Sequence, residues 1–348
     1  MRYSEHHSVE ILATMGPTLY EKSQIIQAVR SGATNFRIHM GVRKKNCYQY
    51  FTNVRAAEAS LKKHIEVLLD LPTAKPRVGK MIPMKPIPGK QYTIKMVEES
   101  DTERVIPLKA LENLKSGLIP GQRIVFSDGK MVFQITEILP DGVSAKCTFS
   151  SSEFIPGISS CVFPDSDFTF DLFEKDDLSL LGSMHDGGLR PDWIAISFAD
   201  DPERIGTVKE IVHSLWDPKV EIMAKIENKK GLRDFQNVLD CVDGVMVARG
   251  DLLACLEPFM LPRIQQELIQ KTRAAGKISV VATELLEQFA RTGMVIRPEL
   301  TDIAVAVRQG ASAVMLSVES SNCPRANDCI TLMDQIIRYE EEGLNSGT

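Results

Sequence analysis

The chain has 348 residues, 43% of them apolar and 25% charged, a composition that suits one large globular domain or two smaller ones. A net charge of −5 gives a nucleic-acid partner no electrostatic support. The first apolar run, Val9–Met15, is too short to span a membrane and follows no basic leader, so no membrane partner is expected. Seven cysteines (Cys47, Cys147, Cys161, Cys241, Cys255, Cys323 and Cys329), an odd number without CxxC spacing, point to free thiols in a reducing, cytoplasmic setting and argue against structural zinc.

Residues 1–8 are polar and take no assigned place in the fold. Val9–Thr14 reads as a buried strand, Gly16-Pro17-Thr18 as a turn, and Glu21–Ser31 as an amphipathic helix stopped by Gly32. Thr34–Ile38 is the next strand, with Arg37 its last charged residue. A basic helical pattern runs from Arg43 to Lys63, and Arg43, Lys44 and Lys45 fit a solvated helix start better than a phosphate site. Ile65–Leu69 is a third strand, ending at Asp70. The pattern then breaks at Met81, Pro83, Pro86, Pro88 and Gly89. From Tyr92 to about Phe170 the period is near two, with turn signals at Asp128-Gly129, Pro140-Asp141-Gly142 and Pro156-Gly157. This is an all-β insertion, residues 80–170, between barrel segments 1–79 and 171–348.

Helical pattern resumes at Glu174. Trp193–Ser197 is a strand and Asp201–Trp216 a helix. The central stretch is Val220 to Asp251: two apolar runs, Val220–Ile226 and Gly244–Ala248, flank a helix-length segment, Lys229–Leu239. Charge gathers at the carboxyl ends of the runs, as Lys225 and Glu227 after the first and Arg249 and Asp251 after the second. That is a βαβ unit of a parallel sheet, and a carboxylate pair beside a lysine at such strand ends suits a divalent cation in phosphate or enolate chemistry. Helices Glu257–Ala275, Thr283–Arg291, Leu300–Gln309 and Ala326–Glu341 alternate with strands Ile278–Ala282 and Ala313–Leu316. Strand candidates beginning at 9, 34, 65, 193, 220, 244, 278 and 313 predict a (β/α)8 TIM barrel, interrupted after strand 3 by a small β lid.

The motifs Ala13-Thr14-Met15-Gly16-Pro17, Lys225-Ile226-Glu227-Asn228, Asp243 through Asp251, Ala282 through Glu287 and Val314-Met315-Leu316-Ser317 occur in barrel order, and with them the chain resembles the pyruvate kinase family from about Val9 onward. The resemblance implies Mg²⁺- or Mn²⁺-dependent phosphoryl transfer between phosphoenolpyruvate, or a related acid, and a nucleotide (ADP/ATP), through an enolate. It assigns Lys225 to stabilise the enolate and the transferring phosphoryl, Arg37 to clamp that phosphoryl, and Thr283 to touch substrate and help deliver a proton. Glu227 and Asp251 would hold the metal, the backbone at Ala248, Arg249 and Gly250 would cradle the substrate carboxylate, and Arg77 would face the nucleotide.

Departures cluster around the family's monovalent-cation site, where His39, Gly41, Asp70 and Leu71 stand and three of the four expected residue types are replaced. Lys75 falls where potassium-independent members carry lysine, so Lys75 and Asp70 are expected to substitute for K⁺. His39 fits a structural role better than a new substrate contact. The nucleotide side is weaker: Val42 replaces a histidine, and Val162-Phe163-Pro164-Asp165 lacks the lysine that precedes the family's matching stretch. Ser317 and Glu319 lie in MLSVES where the family has MLSGET. The family commonly continues into a further α/β domain, and a chain ending at Thr348 is expected to lack it and its effector control, leaving a homodimer through barrel helices as the assembly. The competing functions are a metal-dependent 2-oxo-acid lyase or decarboxylase on the same barrel, and a non-catalytic ligand-binding relative.

Overall fold

The structure, a computed structural model, describes residues 9–41, 44–72, 75–157, 159–168, 173 and 176–346. The expectations for residues 1–8, Val42, Arg43 and Glu174 lie outside these, as does the side chain of Lys44. The first three strands are β1 (Glu10–Thr14), β2 (Asn35–His39) and β3 (Val67–Leu71). The insertion follows with β4 (Lys80–Met81), β5 (Gln91–Lys95), β6 (Glu99–Ser100), β7 (Val105–Pro107), β8 (Arg123–Phe126), β9 (Met131–Leu139), β10 (Gly142–Ser150) and β11 (Cys161–Val162). The chain returns through β12 (Trp193–Ile196), β13 (Glu221–Ile226), β14 (Gly244–Ala248), β15 (Ile278–Ala282) and β16 (Ala313–Leu316). Strands β1-β16-β15-β14-β13-β12-β3-β2 pair in parallel and close, β1 meeting both β16 and β2, to give the expected TIM barrel with its lid after strand 3.

Why these runs are uninterrupted apolar stretches is visible in the packing. Each strand is buried on both faces. One face (Leu12, Leu68, Trp193, Met223, Met246, Val280, Met315) fills the barrel interior, and the alternate face (Ile11, Phe36, Leu69, Ile222, Val245, Val281, Val314) packs on the surrounding helices. Two departures from the expected helices have local causes. The segment Lys229–Leu239 breaks at Asp234 into Lys229–Arg233 and Phe235–Cys241. The helix expected from Thr283 begins only at Glu287, because Thr283 and Glu284 take φ of 84° and 55°, left-handed values that no α-helix continues.

The lid is a six-stranded sheet in the order β11-β8-β9-β10-β5-β7, with β4 and β6 paired separately. It is not all-β as expected: Leu111–Leu114 forms a short helix continued by a 3-10 turn, Lys115–Gly117, and β5 pairs with β7 in parallel. Its core of Tyr92, Phe126, Phe133, Phe154 and their aliphatic neighbours also takes in Phe198 from a barrel loop and Ala254 and Cys255 from the helix Arg249–Cys255, so the lid rests on the barrel through apolar contact.

Period two carries each strand's inward face to both ends of the barrel. At the amino-terminal end it brings Glu10, Asn35, Glu66 and Glu221 together beneath the interior layer that holds Leu12, Leu68 and Met223. Glu10 is buried, and Asn35 Nδ2 donates to its carboxylate at 2.5 Å. Burial first, then the charge of Glu66, pushes the Glu10 carboxyl up to about 7. Because this folded value exceeds the unfolded one, any destabilisation is absent in acid and grows as pH rises from the ordinary carboxylate range through about 7. Glu10→Gln is therefore expected to stabilise the protein at pH 8 by up to about 3 kcal/mol, a gain that shrinks as pH falls toward 5. Paired thermal melts of the two proteins across that range check it; a pH-independent difference contradicts the assignment.

Candidate active site

At the carboxyl-terminal end the same periodicity lifts Thr14, Arg37, Asp70, Ser197, Lys225 and Glu227 above the core layers of β1, β2, β3, β12 and β13. Asp70, fully buried, is the hub. Its Oδ2 accepts from Arg37 Nε at 2.7 Å and faces Arg37 Nη2 at 2.6 Å, and its Oδ1 accepts from Lys225 Nζ at 3.2 Å. Burial alone would raise the Asp70 carboxyl, but Lys225 and Arg37 outweigh it and hold the group well below the usual carboxylate range. Lys225 Nζ also donates to Ser197 Oγ at 2.7 Å and lies 3.2 Å from Glu227 Oε1. Burial opposes the ammonium, yet Asp70 and Glu227 raise its pKa above the ordinary lysine value. Arg37 reaches Thr14 Oγ1 at 3.1 Å, which ties three strands into one rigid mouth.

Glu227 accepts the Phe198 backbone N–H at 2.7 Å. Its pKa is raised, by burial first, with Lys225 opposing and Asp251 adding to the rise. Asp251 stands in the first turn of the helix Arg249–Cys255, which follows β14 directly. The backbone at Ala248, Arg249 and Gly250, expected to cradle the substrate carboxylate, is a helix start: Ala248 is the residue before this helix, and the first-turn amides have no intrahelical acceptor. The Arg249 side chain points away from the mouth, donating to the carbonyls of Ala282 at 3.2 Å and Thr283 at 2.5 Å and pairing with Asp302 at 2.7 Å. It braces the left-handed Thr283 against the helix, and a Cβ on Gly250 would lie 3.1 Å from Thr283 Cγ2.

The remaining expected residues fall into two groups. Lys75 and Asp70, taken together from the sequence, have different partners: Asp70 faces Arg37 and Lys225, whereas Lys75 Nζ hydrogen-bonds Asp251 and lies 3.8 Å from Asp128 of the lid. Arg77, half-buried, bridges to Ser160 where the lid meets the barrel, and its charge acts on His39. His39 Nδ1 accepts from the Gly41 N–H at 3.1 Å, which puts the ring proton on Nε2. Burial, then the Arg37 charge, pushes the imidazole down to about 3, so it is neutral at pH 7. A Cβ on Gly41 would meet His39 Cε1 at 2.8 Å, so the two departures at positions 39 and 41 form one steric unit.

Sequence reasoning gives three participants no role in the site. Asp128 arrives from the tip of the β8–β9 hairpin. Ser197 sits two residues beyond inward-facing Ala195. Glu319, buried, accepts the backbone N–H groups of Leu285 at 3.2 Å, Leu286 at 3.4 Å and Ser317 at 2.8 Å. Period two from Ala195 could have found Ser197; the destination of an exposed hairpin tip leaves no local signal. Beside the mouth, a cavity of about 300 Å³ lies between lid residues 162–168 and the barrel residues Phe198, Asn228, Lys229, Lys230, Arg233 and Cys255. It contains none of Lys225, Glu227 and Asp251, so it adjoins the charged cluster without enclosing it.

Among the described residues no group of three or more His, Cys, Asp and Glu has metal-holding geometry. Magnesium asks less, taking one or two carboxylates and completing its shell from substrate and water. Glu227 and Asp251 are hard oxygen donors, and the Asp251 charge adds to the rise that burial imposes on the Glu227 pKa, a donor set that fits such an ion.

Fold and site together define the class: a TIM barrel with a β lid beside a mouth of basic and acidic side chains. The chain belongs to the pyruvate kinase family, whose barrel-domain model matches residues 6–327. It is 30% identical over 339 residues to a pyruvate kinase of Methylorubrum extorquens, covering 95% of this chain and 68% of that protein. It is 29% identical to pyruvate kinase 2 of Synechocystis sp., covering 97% of this chain but 57% of the relative. A crystal structure of a pyruvate kinase from Cryptosporidium parvum superposes with a TM-score of 0.86 at 23% identity, over 98% of this chain and 71% of that one, which establishes the shared fold. The chain thus spans little more than half the length of some of the relatives it matches. No helix among the described residues is long and apolar enough to cross a membrane.

Proposed function

We propose that this chain catalyses pyruvate kinase-type phosphoryl transfer between phosphoenolpyruvate, or a closely related enol acid, and a nucleoside diphosphate. The observation that carries this reading is the buried Lys225 ammonium held by Asp70, Ser197 and Glu227 at the mouth, with Arg37 fixed on the other side of Asp70. A cation so placed needs no reorganisation when negative charge develops on an enolate oxygen. As the phosphoryl group leaves the enol oxygen for the nucleotide's terminal phosphate oxygen, Lys225 and Arg37 hold charge on both sides of the transfer. The enolate left behind takes a proton at its methylene carbon, and Thr283, held in one orientation by Arg249, lines that position. The amides that open the Arg249–Cys255 helix orient the substrate carboxylate. A divalent cation, Mg²⁺ or Mn²⁺, held by Glu227 and Asp251 supplies Lewis-acid polarisation of substrate oxygens when bound. Arg77, at the lid joint, faces the nucleotide side.

The lid favours phosphoryl transfer over a lyase, because a cover that excludes water protects a transferable phosphoryl from hydrolysis. The test is a coupled assay with phosphoenolpyruvate, Mg²⁺ and a panel of nucleoside diphosphates. Pyruvate formed in step with nucleoside triphosphate supports the reading; pyruvate formed with inorganic phosphate instead means the phosphoryl passes to water and contradicts it, and carbon–carbon cleavage of a 2-oxo acid without nucleotide supports a lyase. The same assay tests the monovalent ion. With Lys75 as a tethered positive charge beside the site, rates in Na⁺ and K⁺ buffers are expected to agree within about twofold, and a tenfold or greater stimulation by K⁺ contradicts that role.

A further inference from the structure

Lys75 lies where the lid, the barrel and the proposed metal carboxylate Asp251 meet. Its ammonium hydrogen-bonds the Asp251 carboxylate, lies 3.8 Å from Asp128 on the β8–β9 hairpin and sits 5.7 Å from the centre of the Phe198 ring. The Glu227 charge also acts on it. The side chain is 13% exposed, and its stem comes from the chain segment that leaves the barrel for the lid. Two carboxylates from two separate elements, helix and lid, therefore converge on one tethered ammonium. Burial works against that ammonium and the carboxylates more than compensate, so it stays charged at neutral pH.

We propose that Lys75 is a resident competitor for the divalent cation: its ammonium and the metal claim the same Asp251 carboxylate, and the metal binds by displacing it. The inference rests on the reading of Glu227 and Asp251 as the metal-holding pair. It follows from charge and space. An ammonium donating to Asp251 occupies one oxygen of that carboxylate and neutralises part of the field that would draw in a dication. A ligand that must first break an internal ion pair binds with an affinity lowered by the cost of breaking it. Lys75 would then set a threshold, leaving the site to fill only at high concentrations of divalent ion or when substrate oxygens add further ligands.

The test is Mn²⁺ binding to the whole chain without nucleotide or acid, read from the loss of the free-ion electron paramagnetic resonance signal. Lys75→Met is expected to bind Mn²⁺ about tenfold more tightly than the parent protein, while Lys75→Arg, which keeps the charge, stays within about threefold of it. Lys130→Met removes a cation from the same hairpin without touching Asp251, and a change below about threefold there separates direct competition from a general shift in field. In the parent protein, saturating Mg²⁺ is expected to raise labelling of the Lys75 amine by an amine-selective reagent several-fold, read by mass spectrometry; this arm does not depend on any variant folding. Unchanged or weaker binding by Lys75→Met, or labelling of Lys75 that does not respond to Mg²⁺, overturns the competition. If in that case Asp251→Asn still abolishes Mn²⁺ binding, the metal pair stands and only the role of Lys75 falls. If neither the parent nor Lys75→Met binds Mn²⁺, the metal reading fails and the competition with it.

Discussion

Lys225→Met is expected to lower kcat for phosphoryl transfer by at least about 10²–10³-fold, with kcat/KM falling in proportion and KM for the enol acid changing little. The size follows from what a fixed donor aimed at developing charge is worth in a dry site. The proportional fall follows from a cation whose largest contribution comes when the enolate forms. The substitution also costs stability. It leaves Asp70 with Arg37 alone and Glu227 without its nearest cation, and losing one partner of a buried ion pair costs on the order of 3–5 kcal/mol. Melting curves must accompany the kinetics, and turnover per folded molecule is the quantity to compare. A variant that stays folded and turns over like the parent would remove the basis of the proposed chemistry.

Glu319→Ala is expected to destabilise the protein by about 3–5 kcal/mol and to reduce turnover through the neighbouring Thr283 segment. The carboxylate accepts N–H groups from Leu285, Leu286 and Ser317 inside the fold, and each buried donor left without a partner costs about 1–3 kcal/mol. Glu319→Gln separates the contributions. It keeps an oxygen for Leu285 and Leu286 but turns an NH₂ group toward the Ser317 N–H, so a smaller loss, about 1–2 kcal/mol, is expected. Urea midpoints measure both losses, and hydrogen exchange at Leu285, Leu286 and Ser317 reports which bonds are gone. Equal stability of Glu319→Ala and the parent, with slow exchange at those amides, contradicts the assignment.

The barrel strands were legible because parallel strands buried on both faces leave short apolar runs with charge at their carboxyl ends, and β14, β15 and β16 lie where the residues placed them. The lid's turns were legible for the same local reason: Asp128-Gly129 does close the β8–β9 hairpin. Where that turn goes was not legible. The meeting of Asp128 with Lys75 depends on how the whole lid settles on the barrel. The late start of the helix at Glu287 is another non-local effect: Arg249 on the Thr283 carbonyl and Glu319 on the next amides favour a conformation that local propensity opposes. The resemblance groups Lys75 with Asp70 at the monovalent-cation site, whereas the partners of Lys75 come from the barrel's sixth strand end and the lid. The helical turn at Leu111–Leu114 is too short for a periodicity argument to detect inside a β region.

Strands β3 and β12 are hydrogen-bonded neighbours, Leu68 beside Trp193 through Leu71 beside Ile196, although the entire lid separates them along the chain. The ring of strands is therefore complete without a single rung from the insertion. The lid is a cassette spliced into one seam of a finished cylinder, and replacing it with a short linker would disturb no strand pairing in the ring. What such surgery would bare is a small greasy footprint at Phe198, Ala254 and Cys255, and softening those residues to polar ones is the step that would keep a lidless barrel soluble.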